Sequence, residues 1–255
     1  MGTVSFANNT VMETELPPVV YPSGGYSPQY IKKKGAALHN KGTLVFEKDT
    51  TFDSNEAVTR EDTNAADGGA ISNSASGSIL FKGKLTMTNN QAEGFFGGSG
   101  GCIYNSGEIV VDGESIFTGN SAADGGVIFQ TKIGSVTFNG MSSFVDNICY
   151  ELRGAAIANF GGKVVFNAET QFDDNYASSS GDGGMGAGIY NEDGGDVTFA
   201  SKATFKGNSA YKGAGIYMEM EPYFYSASAT DYVTPTLTLP AAASAFVFED
   251  NQAEV

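Results

Sequence analysis

The sequence predicts an all-β chain wound as a right-handed parallel β-helix, a solenoid of about seven rungs. Three observations predict it. A Phe-x-x-Asn segment recurs along the chain, a Gly-Gly-Ala-Ile signature recurs between its copies, and a short strand of alternating apolar residues follows each signature. Glycine is 34 of 255 residues, while proline is only 7 and charged residues only 17%, which separates the chain from collagen-like and disordered sequences. Aromatics make up 12%, enough to fill a core.

The first element occurs as Phe6–Asn9, Phe52–Asn55, Phe117–Asn120, Phe144–Asn147, Phe172–Asn175, Phe205–Asn208 and Phe248–Asn251, with Met87–Asn90 in the remaining slot. In most copies a small residue stands two residues later: Ala57, Ala92, Ala122, Cys149, Ala177, Ala210 or Ala253. The second element ends in an aliphatic anchor at Leu38, Ile71, Ile103, Ile128, Ile157, Ile189 and Ile216. Two residues after the anchors come Asn40, Asn73, Asn105, Gln130, Asn159, Asn191 and Met218. The third element pairs apolar residues two apart: Leu44/Phe46, Ile79/Phe81, Ile109/Val111, Val136/Phe138, Val164/Phe166 and Val197/Phe199.

The period is roughly 25–35 residues, within the solenoid range. Three short strands per turn with period-2 alternation cannot bury their inner faces alone, so units must stack. Parallel stacking at about 4.8 Å places equivalent side chains in columns of Phe, aliphatic and Asn residues, and seven rungs make a rod about 34 Å long. Inward Asn side chains at the turns can satisfy polar groups of neighbouring rungs.

Gly-Gly-Ala-[Ile/Leu/Val] paired with Phe-x-x-Asn resembles the repeat of the chlamydial polymorphic outer membrane proteins, and Gly68-Gly69-Ala70-Ile71 matches it fully. The resemblance spans nearly the whole chain. It implies a β-helix that serves as a surface adhesin, a passenger region of autotransporter type, located extracellularly or at the cell surface. An organelle lumen or a larger assembly is the alternative location.

The net charge is −15, from 29 acidic and 14 basic residues. That opposes binding to nucleic acid or anionic lipid. There is no run of 18 apolar residues, and the opening Met-Gly-Thr-Val-Ser-Phe has neither region of a signal peptide.

Two insertions break the pattern. Residues 10–34 hold four prolines and Lys32, Lys33 and Lys34, and read as a cap or a docking arm. Residues 219–240 hold Tyr223, Phe224, Tyr225 and Tyr232, and read as a second cap or a contact surface. Shorter loops at 57–67, 92–99 and 177–186 leave at one turn, which places Phe95, Phe96, Tyr176 and Asp182 on one face.

Catalysis on a β-helix needs a carboxylate pair or a cation with a basic partner on one strand face. The chain has two arginines, Arg60 and Arg153, and one histidine, His39, which falls in an outward slot. The adjacent pair Asp173-Asp174 sits in a turn. The chain therefore reads as a non-enzymatic protein, with a pectate-lyase-like enzyme as the opposing class, and no cofactor is implied. Asp67, Asp124 and Asp182 each precede Gly-Gly, where a carboxylate can bond its own turn. Asp193 and Asp196 form the densest oxygen cluster and the best place for calcium. Cys102 and Cys149 replace small residues in different columns, so both read as buried and unpaired.

Binding is expected on outward columns. One runs Val45, Leu80, Val110, Thr137, Val165, Thr198, flanked by Thr43, Ser78, Glu108, Ser135, Lys163 and Asp196. Another runs His39, Ser72, Tyr104, Phe129, Ala158, Tyr190, Tyr217. Such stripes suit protein docking or sugar stacking. The expected function is an adhesin-like module for a protein or glycan; a structural subunit of a larger assembly is the alternative.

Overall fold

The computed structural model describes residues 2–12, 19–20, 26–27, 33–59, 66–94, 97–178, 183–219, 233–241 and 245–253. Among these residues the chain forms four parallel sheets and no helix. It is a parallel β-helix of about seven rungs, as the repeat predicts. Where no long insertion intervenes, equivalent asparagines lie 27 to 35 residues apart.

Each full rung uses four strands, not the three expected from the sequence. The aliphatic sheet has seven strands, from Leu38–Asn40 to Ile216–Glu219. The valine sheet also has seven, from Thr43–Phe46 to Thr236–Thr238. The phenylalanine sheet has eight, from Val4–Ala7 to Phe246–Glu249. The fourth, the alanine sheet, begins at Thr10–Met12 and Glu56–Thr59 and holds the small residues Ala57, Ala92, Ala122 and Cys149. Its strands are as short as two residues, such as Tyr176–Ala177. Alternation over two residues cannot be told from a turn in the sequence.

The core is a pair of phenylalanine columns meeting edge to face. In one, Phe117, Phe144, Phe172 and Phe205 stack at 4.6–4.8 Å. In the other, Phe138, Phe166 and Phe199 stack at 5.1 and 4.8 Å. Rings of the two columns meet at 5.9–6.4 Å, nearly perpendicular. Parallel register forces identical side chains together, and offset stacks with T-shaped contacts suit the ring quadrupole.

The chain turns the corner between the phenylalanine and alanine sheets through one left-handed residue per rung. Asn8, Ser54, Asn89, Gly119, Asp146, Asp174, Gly207 and Asp250 all have φ between 53° and 66°. Each directly precedes the asparagine of Phe-x-x-Asn, and the sequence supplies mostly Asn, Asp and Gly, which tolerate that conformation best. The following asparagine is turned inward. Asn147 donates through its backbone N (3.1 Å) and Nδ2 (3.0 Å) to Asn175 Oδ1, and through Nδ2 to Phe117 O at 3.1 Å. Its Oδ1 accepts the same pair from Asn120. The pattern runs unbroken from Asn9 to Asn251.

A second ladder joins Asn40, Asn73, Asn105 and Gln130 at 2.9 Å per step, and resumes from Asn159 to Asn191 at 2.8 Å. Between the two runs it is broken: Gln130 Nε2 and Asn159 Oδ1 are buried and have no hydrogen-bond partner. The extra methylene of Gln130 explains the break. Its Cγ lies where a β-carbon on Gly162 would stand 2.7 Å away, so the amide no longer aligns with Asn159.

Several expectations need correction at the insertions. Residues 10–12 are not part of the first insertion: Thr10–Met12 pairs in register with Glu56, Ala57 and Val58. Lys33 and Lys34 are not a free arm. Lys33 is buried and its carbonyl accepts from Asp67 N at 2.9 Å, while Lys34 bridges in parallel to Asp67. Lys32 lies outside the described residues, as do Pro17, Pro18, Pro22 and Pro28. Within the first insertion Val19–Val20 pairs antiparallel with Tyr26–Ser27. The second insertion is shorter than 219–240: Glu219 pairs with Glu192, and Thr236–Thr238 extends the valine sheet beside Asp196–Thr198. Tyr223, Phe224, Tyr225 and Tyr232 lie outside the described residues. Cys102 and Cys149 are buried and unpaired, as expected, and burial pushes the Cys149 thiol up to about 12.

Two substitutions test the ladders by urea unfolding. Gln130→Asn rejoins the broken ladder and is expected to stabilise the protein by about 1 kcal/mol. Asn147→Ala strands buried groups on both neighbouring rungs and is expected to cost about 3 kcal/mol or more.

Candidate functional site

The aromatic column forms, but not as an exposed stripe. Register aligns His39, Ser72, Tyr104, Phe129, Ala158, Tyr190 and Tyr217 as the sequence predicts. The Ala158 slot is filled by Phe160, two residues on, which stacks on Phe129 at 4.7 Å and tilts against Tyr190 at 5.7 Å. Tyr104 stacks on Phe129 at 5.3 Å and Tyr190 on Tyr217 at 5.9 Å. The result is one continuous ladder whose rings spend their faces on each other. Tyr190 is 0% exposed, and Ser72 and Ala158 are buried too. Tyr104, Phe129, Phe160 and Tyr217 are half-buried. His39 is exposed, as expected; partial burial, then Lys34 and Lys41, hold its pKa below the usual range.

Beside this ladder lies an ionic cluster that the sequence reading missed. The strand Ile148–Arg153 pairs with Ser121–Asp124 through a bulge: Ala122 faces Cys149, but Asp124 faces Arg153. The extra residues bring Tyr150 outward, where its hydroxyl donates to Ala92 O at 2.9 Å. They also bring Arg153 inward, to 3% exposure. Its guanidinium donates two parallel bonds to Asp124, Nε to Oδ1 at 3.2 Å and an Nη to Oδ2 at 3.1 Å. It lies 4.5 Å from the Phe160 ring centre and 5.3 Å from that of Tyr190, and the other Nη is 3.8 Å from Glu192 Oε1. The Tyr190 hydroxyl bonds Glu192 and lies 2.8 Å from Glu219 Oε2.

Burial dominates the electrostatics here. It pushes the Asp124 and Glu192 carboxyls up, against the pull of Arg153 in both cases. It raises Tyr190 as well, reinforced by the Glu192 hydrogen bond. Burial by itself would lower Arg153, but the acidic groups around it, Asp124 foremost, together outweigh it and the guanidinium stays charged.

This corrects the reading of Asp124 as bonded to its own turn: its carboxylate is taken by Arg153. Asp67 is buried in the same column, and Asp182 lies outside the described residues. A sequence signal was available. The residues just before the first signature glycine are Lys34, Asp67, Ser99, Asp124, Arg153, Met185 and Lys212, and the structure bridges them in that order. Opposite charges in successive copies of one slot, as at Asp124 and Arg153, mark an ion pair between rungs.

The calcium candidates are otherwise engaged. Asp193 pairs with Lys132 at 3.1 Å, and Asp196 accepts from the Thr236 hydroxyl at 2.9 Å. Among the described residues no group of three or more His, Cys, Asp or Glu side chains is placed to hold a metal ion. Tyr176 is exposed, as expected of the loop face; Phe95, Phe96 and Arg60 lie outside the described residues.

The valine-sheet column is open to solvent. Val45 is 42% exposed, and Leu80, Val110, Thr137, Val165 and Thr198 are half-buried in register with it. Polar residues line both sides. Glu108 and Lys163 stand exposed on one side. On the other, Lys82 pairs with Glu47 at 2.8 Å, and Asn139 links Asp112 (2.7 Å) to Asn167 (2.8 Å). No helix among the described residues is long and apolar enough to cross a membrane.

Comparison with family models, with curated proteins and with solved structures returns no match.

The Asp124–Arg153 pair has a measurable signature. Asp124→Leu or Arg153→Leu alone leaves a buried charge without its counterpart and is expected to cost about 3–5 kcal/mol. The double variant is expected to cost less than the sum of the two, as a double-mutant cycle by chemical denaturation will show.

Proposed function

We propose that this protein is a non-enzymatic, adhesin-like binding module that docks a protein partner on the outer face of its valine sheet. One observation supports this reading above the others: a straight, mostly apolar column of six residues, Val45 to Thr198, with polar residues on each side. Apolar centre and polar rim are the anatomy of a protein interface. Six rungs at about 4.8 Å make the stripe some 24 Å long, and the parallel ladders beneath keep it rigid, so docking costs little ordering entropy.

The aromatic column supports the same choice by elimination, since its ring faces are spent on one another and a glycan finds no platform there. Catalysis is disfavoured by position. The close carboxyls, Glu192 and Glu219, are joined through a Tyr190 that solvent does not reach, so a substrate cannot sit between them. The Gly-Gly-Ala-Ile and Phe-x-x-Asn repeat, with its likeness to chlamydial polymorphic outer membrane proteins, agrees with an adhesin at a cell surface. The net charge of −15 favours a partner with a neutral or basic rim.

Charged substitutions on the stripe test the reading. The Val110→Lys, Val165→Lys double variant is expected to keep its circular dichroism spectrum and melting temperature. It is expected to weaken capture of surface proteins from host-type cells by about 100-fold, roughly tenfold per disrupted contact. Unchanged capture by that variant would place the binding surface elsewhere.

A further inference from the structure

Glu192 and Glu219 are partners in register on neighbouring strands of the aliphatic sheet. Like charges placed directly opposite destabilise a strand pair. Between the two carboxyls stands the Tyr190 hydroxyl, bonded to Glu192 Oε2 and 2.8 Å from Glu219 Oε2. A phenol has one hydrogen to donate, and an ionised carboxylate can only accept. One hydrogen shared between two carboxylates makes only weak bonds; two full bonds require that one carboxyl carry a proton and donate it to the tyrosine oxygen.

We propose that Glu192, Tyr190 and Glu219 form a proton latch: one proton, held by Glu192, ties the strand Ile189–Glu192 to the strand Ile216–Glu219, and its loss as pH rises loosens the second strand. The relay then reads Glu192 O–H to Tyr190 oxygen, and Tyr190 O–H to the Glu219 carboxylate. Exposure assigns the ends. Glu192 is 4% exposed, while Glu219 is only half-buried, so the negative charge rests on the better-hydrated carboxyl.

The charges around the latch agree. Arg153 is the cation nearest Glu192, one Nη standing 3.8 Å from Glu192 Oε1, but its two short bonds go to Asp124, whose own charge repels Glu192. Phe160 packs on the same side and brings no charge. On the other side stands Tyr217, with Lys212 acting on Tyr217. Burial is the largest influence on Glu192 and raises its pKa, against the Tyr190 hydrogen bond and Arg153.

The sign follows from linkage. With its folded pKa raised, Glu192 keeps its proton where the unfolded chain has already ionised. Stability therefore falls as pH rises from the ordinary carboxylate range to the folded pKa of Glu192, and is level above it. The device goes beyond partner docking on the valine sheet and does not depend on it.

Infrared spectroscopy tests the latch directly. At about pH 7 the wild-type protein is expected to show a protonated-carboxyl C=O band that is lost in Glu192→Gln. Glu219→Gln is expected to lose it too, because the new amide N–H donates to Tyr190 and frees the tyrosine hydrogen for an ionised Glu192. Either variant decides the matter if the other fails to fold. Hydrogen exchange at residues 217–219, corrected for its intrinsic pH dependence, reads the strand. Between about pH 6 and 9 exchange in wild type is expected to accelerate about tenfold, and in Glu192→Gln to stay flat. A band that persists in both amide variants, or the same pH profile in wild type and Glu192→Gln, would overturn the proposal.

Discussion

The structure depends on one constraint: a parallel rung places each residue over its own counterpart. Like meets like at every level, and a column survives only if its residue tolerates its own copy as a neighbour. Asparagine does so because its amide both donates and accepts, and the bond from Asn147 to Asn175 is the bond from Asn120 to Asn147 moved one rung along. Phenylalanine does so by offset stacking. The corner residue before each asparagine contributes the left-handed backbone that turns the amide inward. Lengthening one side chain by a methylene, as at Gln130, is enough to break the chain of bonds.

Carboxylates are the residues that this constraint punishes most. The fold answers in two ways. In the alanine-sheet column it sets a base against an acid, so that Asp124 faces Arg153. In the aliphatic sheet it sets Glu192 against Glu219 and inserts a phenol between them. Both answers lie beside the aromatic ladder, whose rings shield them and lower the local dielectric.

Much of the fold was legible because the repeat is written in residues with narrow conformational tastes. The Asn and Phe positions and the aliphatic anchors of the described residues all take the columns that the spacing assigns. The alanine sheet was not legible as a strand, since its strands are either two residues long or lack regular apolar alternation, as in Glu56–Thr59 and Ile148–Arg153. The ends of the insertions were misjudged for a related reason. Thr10–Met12 and Thr236–Thr238 are too short and polar to announce themselves, and only pairing with Glu56–Val58 and Asp196–Thr198 makes them strands. Lys33 and Lys34 looked like an arm because charge suggests solvent, yet their backbone continues the Lys–Asp–Ser–Asp–Arg column.

By itself the sequence determined the β-helix, its register and the composition of its columns. A repeat needs only period and residue type to specify which copies stack. The tertiary structure decided which outward positions meet solvent. Tyr104, Phe129, Tyr190 and Tyr217 share one column, but Phe160 entered it from outside the repeat and Arg153 covered it by way of a bulge. Those contacts link residues that occupy different slots of the repeat. No periodicity relates them, and they exist only once the rungs are stacked and the bulge has turned the arginine inward.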